Sequence, residues 1–294
     1  MADKVVITAA LTGGAPTKER NPNVPYVAEE YWREAKRAEE AGAAIVHIHF
    51  RDPQTGLPSN NPQVMADVLQ GIQENTHLLI NLSTGFMGPG TTLEARKLPI
   101  VHHAPELASL NPGTMNFCFV SHKDGRIMYD WTFENPFGAT IEFGTLMKEK
   151  KIKPELECFG PAHVYNVLFF DQFYDFLVRP LHFSFAFGVT GGVGFAPETL
   201  IAYLNAIPAG STWQGIGVGP FCFPVAMTSA IFGGHIRVGL EDNLFVDYTT
   251  KTLSQGNWDQ VEKAVQIAHM AGREVASPAE ARVILNLPER DGGA

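Results

Sequence analysis

The sequence predicts an α/β protein folded as one closed (β/α)8 TIM barrel, with a small hairpin inserted after its fourth strand. Three observations predict it. Short β-branched runs alternate with helical patterns along almost all of the 294 residues. The alternation gives eight βα units, the number a closed barrel of this length uses. A doubly wound sheet would instead need fewer strands and a phosphate-binding turn after the first, and LTGGAPT at residues 11–17 contains no GxGxxG. No shift in composition marks a linker, so residues 1–294 read as a single domain.

The first strand, 5–11, is an apolar run that stops at Thr12-Gly13-Gly14. A helix over 28–41 follows, ending where Gly42 can take the left-handed C′ position. The second strand covers 44–50, the next helix 62–74, the third strand 78–82 and the fourth 106–110. The pattern then breaks: alternating residues at 117–122 and 127–133 flank Lys123-Asp124-Gly125-Arg126, which reads as a hairpin turn. In a barrel this loop lies on the active-site face, where a hairpin can shape a pocket or meet a neighbouring subunit. Four further strands, at 155–159, 181–187, 212–218 and 235–238, are separated by helices at 161–176, 197–206 and 225–232, after one at 136–151. A helix over 258–271 and a last one opening on Ser277-Pro278-Ala279-Glu280 close the chain; the latter is a capping box with Pro at the first helical position.

Composition narrows the partners. With 18% charged and 45% hydrophobic residues the chain is globular, and its net charge of −9 without a Lys/Arg run excludes a phosphate-backbone binder. No apolar stretch approaches the roughly 18 residues a membrane span needs. The start reads as a strand rather than a signal peptide. Cys118, Cys158 and Cys222 are odd in number and widely spaced, fitting neither disulfides nor a CxxC site, so a reducing cytoplasm is the expected location.

The strongest chemical signal is Val46-His47-Ile48-His49-Phe50-Arg51-Asp52 at the end of the second strand. Residues two apart on a strand share a face, so His47 and His49 converge on one point, as zinc requires. The plainer reading is two hydrogen-bonded core histidines, about as common for an arbitrary HxH. Position favours the metal, because C-terminal strand ends form a barrel's catalytic mouth. A third ligand must come from another strand end. Glu241, in Gly239-Leu240-Glu241-Asp242-Asn243 just beyond the eighth strand, is placed to supply it, although an isolated EDN is more often a solvated turn or helix cap. Asn81-Leu82-Ser83-Thr84-Gly85 ends the third strand with hydroxyls and a glycine, suited to a carboxylate or simply to a turn. Gly215-Ile216-Gly217-Val218-Gly219 sits where barrels often hold phosphate, on weak evidence. The other histidines carry no ligand spacing.

Taken together, ITAALTGGAPTKERNP, AGAAIVHIHFRDP, NLSTG, PELASLNPGTMNF and GGHIRVGLEDN, spread over nearly the whole chain, resemble the β-keto acid cleavage enzyme family. The resemblance implies a zinc-dependent barrel, usually a homotetramer, that condenses a β-keto acid with acetyl-CoA and releases acetoacetate plus a new acyl-CoA. It implies His47, His49 and Glu241 as ligands of Zn2+, Asp242 as base and Arg237 as catalytic arginine, with Ser83, the backbone near Gly85, and Ser109 at the substrate carboxylate. The implied course is α-proton removal, attack on the thioester, CoA transfer and retro-Claisen cleavage.

Three departures bear on the substrate. The founding lysine-fermentation enzyme has Glu, which binds the substrate ammonium, where this chain has Ala15. Ser109 replaces a family Thr, and Gly219-Pro220-Phe221-Cys222-Phe223 replaces a polar stretch. With Phe50, Phe86, Phe117, Phe221 and Trp131 expected near the mouth, the substrate tail reads as neutral and apolar, or as a quaternary ammonium caged by rings. The alternative class is a metal-dependent hydrolase of the amidohydrolase type, which normally carries HxH on the first strand.

Overall fold

The computed structural model describes residues 4–85, 90–121 and 124–289. Eight parallel strands close a barrel: β1 (Ile7–Ala10), β2 (Ile45–Ile48), β3 (Leu79–Leu82), β4 (Leu107–Leu110), β7 (Lys153–Cys158), β8 (His182–Phe187), β9 (Thr212–Gly217) and β10 (His235–Val238), with β10 paired back onto β1. Between β4 and β7 runs the antiparallel hairpin β5 (Met115–Val120) and β6 (Ile127–Phe133). Its turn keeps Gly125 at φ 72°, and His122 and Lys123 lie outside the described residues.

The helices α1 (Ala28–Ala41), α2 (Pro62–Asn75), α3 (Leu93–His102), α4 (Phe137–Glu149), α5 (Pro161–Tyr174), α6 (Pro197–Ala206), α7 (Cys222–Ile231), α8 (Asn257–Met270) and α9 (Pro278–Ile284) follow. Gly42 ends α1 in the left-handed conformation, and Ser277 and Glu280 form the capping box of α9. Apolar side chains of the outward strand faces pack against these helices in two large clusters, one around Ile7, Val46 and Met65, the other around Phe183, Phe185 and Tyr203.

Two elements depart from the sequence reading. Helix α3 was not expected: its buried positions Arg96, Lys97, Pro99 and Ile100 form no apolar stripe, and Pro99 lies inside it. The stretch expected as an apolar loop, Gly219 to Phe223, is a 3-10 turn (Gly219–Phe221) running into α7, with Cys222 and Phe223 buried against the core. A second small hairpin, β11 (Phe245–Asp247) and β12 (Thr252–Leu253), follows β10.

The strand register assigns the barrel interior. Partners in a parallel ladder share a face, so Thr8 with Arg237, Ala10 with His47, His47 with Asn81, Ser109 with Glu155, and Glu157 with Ser184 and Gln214 all turn inward. Hydrogen bonds link the middle of this set into a belt: Thr8 Oγ1 donates to Gln214 Oε1 (3.0 Å), Gln214 Nε2 to Ser184 Oγ (2.9 Å) and Ser184 Oγ to Glu155 Oε1 (2.7 Å). Asn81 Nδ2 donates to the other oxygen of Glu155. The barrel floor is therefore polar and largely hydrogen-bonded, although buried Asn81 Oδ1 has no partner, and the mouth lies above it at the C-terminal strand ends.

Candidate active site

His47 lies near the end of β2 and His49 one residue beyond it, with ring centroids 5.3 Å apart. Tyr31 Oη donates to the His49 carbonyl at 2.7 Å, fixing the strand end from α1. Arg51, buried beyond it, donates to the carbonyls of Gly13 (2.7 Å), Pro16 (2.8 Å) and Gly56 (2.6 Å), so the loop after β1 is clamped to the end of β2.

That loop shapes the third corner. Gly239, at φ 140°, makes the turn after β10; a side chain there would enter the backbone of Ala10. Past it, the Glu241 amide donates to the Ala10 carbonyl at 3.2 Å, which carries the carboxylate over the end of β1 towards β2. A Cβ on Gly13 would lie 2.6 Å from Glu241 Cγ, so only glycine leaves room for this carboxylate.

Glu241 Oε2 lies 3.6 Å from His47 Nε2, and Oε1 lies 3.5 Å from His49 Nε2. One donor atom from each of the three residues falls within 4.8 Å of the others. Ligands about 2.0–2.2 Å from a tetrahedral ion stand roughly 3.3–3.6 Å apart; each imidazole stands at this distance from one Glu241 oxygen, and the donor set suits a divalent metal. Buried Glu241 Oε2 has no hydrogen-bond partner, as expected of an atom reserved for a cation. Burial, helped by Arg237, lowers His47 to about 3 and keeps it neutral, the form that ligates. Burial alone would raise Glu241, but Arg237 and the two imidazoles outweigh it and hold the carboxyl well below its usual range.

Beside this triad Arg237 donates through Nε to Asp242 Oδ2 (2.9 Å) and through Nη2 to Asp242 Oδ1 (3.0 Å) and Glu241 Oε1 (2.5 Å). Its Nη1 has no hydrogen-bond partner and faces Glu157 Oε2 at 3.7 Å. Burial raises Asp242 to about 6 against the opposing pull of Arg237, and raises Glu157 to about 8 against the same pull. The mouth thus holds one guanidinium with a free donor, an orphaned metal-type triad and two carboxyls at different protonation levels, a set suited to forming and stabilising an anion.

Of the residues expected at the site, His47, His49, Glu241, Asp242 and Arg237 are brought together. Ser83 and Gly85 are adjacent: the Gly85 amide donates to Ser83 Oγ at 3.0 Å, and a Cβ on Gly85 would lie 3.9 Å from His49 Cε1. Ser109 is buried at the end of β4, where its Oγ accepts from the Thr84 amide (3.0 Å) and its carbonyl accepts from Thr84 Oγ1 (2.5 Å). The glycines at 215 and 217 serve packing: side chains there would strike Ser229 and the Phe221 backbone, so they admit α7 rather than phosphate.

Of the five rings expected at the mouth, Phe50 is in the core between barrel and helices, Phe221 packs with the second core cluster, and Phe86 lies outside the described residues. Phe117 and Trp131 stack at 4.9 Å on the hairpin. Glu155 and Glu157 were missed. Lys153, Glu155 and Glu157 recur at period two on one strand, an inward-facing charged series that the sequence displays.

Residues 4–287 match the beta-keto acid cleavage enzyme family. The chain is 37% identical over 289 residues to the 3-keto-5-aminohexanoate cleavage enzyme of Fusobacterium nucleatum subsp. nucleatum, covering 98% of this chain and 99% of that one. It is 32% identical to the 3,5-dioxohexanoate:acetyl-CoA acetone transferase of Paraburkholderia graminis, over 97% of this chain and 96% of the other. Among solved structures, apo ObcA superposes with a TM-score of 0.73 at 20% identity, covering 91% of this chain and 66% of that longer one, a likeness of fold.

Proposed function

Because the chain belongs to the beta-keto acid cleavage enzyme family, we propose that it is an acyltransferase that condenses a β-keto acid with acetyl-CoA and yields acetoacetate and a new acyl-CoA. One observation carries the site assignment: the His47–His49–Glu241 triad lies directly against the Arg237–Asp242 pair at the barrel mouth. His47, His49 and Glu241 would hold zinc, which when bound supplies a Lewis acid for the keto oxygen.

The protein's own groups account for the rest. Asp242, raised to about 6, is mostly ionised at neutral pH yet basic enough to take the α-proton, close to the optimum for a general base. Arg237 fixes that carboxylate through two bonds and presents Nη1 to the anions formed when the carbanion attacks the thioester and when the carbon–carbon bond breaks. Ser83, the Gly85 backbone and Ser109 would receive the substrate carboxylate at the ends of β3 and β4.

The tail is apolar in this reading. Inward-facing Ala186 and Ile216, on the wall opposite β2 and β3, cluster with Met115, Phe133 and Phe159, while Ala15 is exposed and uncharged. The stacked Phe117–Trp131 pair turns one face of each ring onto the other, which removes those faces from any cage for a quaternary ammonium. We assign the chain one catalytic domain over residues 1–294, a homotetrameric assembly and a cytoplasmic location; no helix among the described residues is long and apolar enough to cross a membrane. Steady-state assay with acetyl-CoA tests the reaction: acetoacetate must form only when both substrates are present.

A further inference from the structure

Helix α5 carries an exposed aromatic face that the barrel does not use. Its buried side is His163, Val164, Val167 and Asp171; its outer side shows Tyr165, Phe169 and Phe173 at helical spacing. Their rings touch in series, Tyr165 to Phe169 at 5.7 Å and Phe169 to Phe173 at 5.5 Å. Phe169 meets Phe170 at 5.2 Å, Phe170 meets Tyr174 at 6.5 Å, and Phe137 at the start of α4 lies 4.7 Å from Phe170. Tyr165, Phe169, Phe173, Tyr174 and Phe137 are between 38% and 70% exposed.

A soluble surface seldom leaves a contiguous patch of this kind open. The helix also lacks the charges that would solvate it: within residues 161–174 the sole charged side chain is Asp171, buried and paired with Arg179. At roughly 150–250 Å² per ring and about half exposure, five rings present roughly 500 Å². Pairing two such faces removes roughly 1,000 Å², which reaches the lower bound for a specific interface before the surrounding side chains are counted.

We infer that this face is a two-fold interface with a second copy of the same chain. The stripe is self-complementary: with the axis at Phe169, antiparallel helices set Tyr165 of one copy against the partner's Phe173, and the reverse, as a two-fold contact requires. Two chains of net charge −9 repel at long range, but the contact itself is uncharged, so added salt screens the repulsion without weakening the association. This inference extends the homotetramer assignment by naming one of its faces, and it does not depend on the chemistry.

Sedimentation velocity on the full chain at low and high salt, with Phe169→Glu/Phe173→Glu beside wild type, tests it. The expected result is halving of the assembly's mass in the variant and no salt-induced dissociation of wild type. An unchanged mass, or a monomeric wild type, overturns the inference. A gentler probe uses Phe169→Cys in a Cys118→Ser background: a covalent dimer on a non-reducing gel after mild oxidation is expected, and a wholly monomeric gel from a chain that sediments as an oligomer overturns the two-fold arrangement. Acetoacetate release by each variant, measured alongside, separates a failed interface from a failed enzyme assignment.

Discussion

Arg237 holds Asp242 in a fork, Nε to Oδ2 at 2.9 Å and Nη2 to Oδ1 at 3.0 Å, and the same Nη2 reaches Glu241 Oε1. One guanidinium therefore orients both the proposed base and a metal-type ligand. Lysine keeps the charge but cannot reproduce a planar fork. Arg237→Lys is expected to lower kcat about 10²-fold, the scale of a misplaced catalytic group. Asp242→Asn, isosteric but unable to take a proton, should lose about 10²–10⁴-fold with its metal retained. Steady-state kinetics beside metal analysis read both; wild-type kcat in either variant would remove that residue from the mechanism.

Gly13 gives a test of the metal corner that touches no ligand. A methyl there would press on Glu241 Cγ from 2.6 Å, and Arg51 holds the Gly13 carbonyl so that the loop cannot easily yield. Gly13→Ala is expected to weaken zinc binding roughly 10–100-fold, as perturbing a ligand's support does elsewhere. Competition with a chelator measures it, and unchanged affinity would show that the clamp does not set the ligand position.

The barrel frame and the meeting of His47, His49, Glu241 and Asp242 were legible in the sequence because each rests on a local rule, whereas Arg237 was singled out only by the family resemblance. Period-two alternation put His47 and His49 together, and strand count put Glu241 and Asp242 next to them. What the sequence hid depends on tertiary context. Helix α3 is held by Arg96, whose guanidinium donates to Thr84, Glu134 and Asn135, contacts invisible to periodicity. Phe50 was expected at the mouth, but strand alternation turns it outward when His49 turns inward. Glu155 and Glu157 passed unread because buried carboxyls are rare, although their spacing with Lys153 was plain.

At the opposite end of the barrel, His182 and His235 lie buried, and burial holds both below their ordinary value, His235 at about 3. The folded chain thus resists protonation that the unfolded chain accepts near pH 6.5, so stability is present above that pH and lost as pH falls below it. From pH 7 to 5 His235 contributes a loss of about 2 kcal/mol, and His182 acts in the same direction. Glu157, raised by burial, acts in the opposite sense, so the comparison is between variants. Urea unfolding should show His235→Gln losing about 2 kcal/mol less than wild type over this interval; identical slopes would contradict it.

The apolar wall makes a substrate prediction. Chains ending in a methyl or methylene tail should be preferred over a 5-ammonio β-keto acid by 10-fold or more, and Ile216→Asp should narrow or reverse that ratio. Competition between the two substrates gives kcat/KM ratios directly. Preference for the ammonium substrate in wild type would sink the apolar-tail reading while leaving the reaction class intact.

Whether the triad's metal and acetyl-CoA act in one acyl transfer is decided by product analysis of the zinc-loaded chain and of His49→Ala with a β-keto acid, with and without acetyl-CoA. Equal amounts of acetoacetate and new acyl-CoA are expected from wild type, none without acetyl-CoA, and loss of both bound zinc and turnover in His49→Ala. Product formed without acetyl-CoA, or turnover retained by a zinc-free His49→Ala, would contradict it.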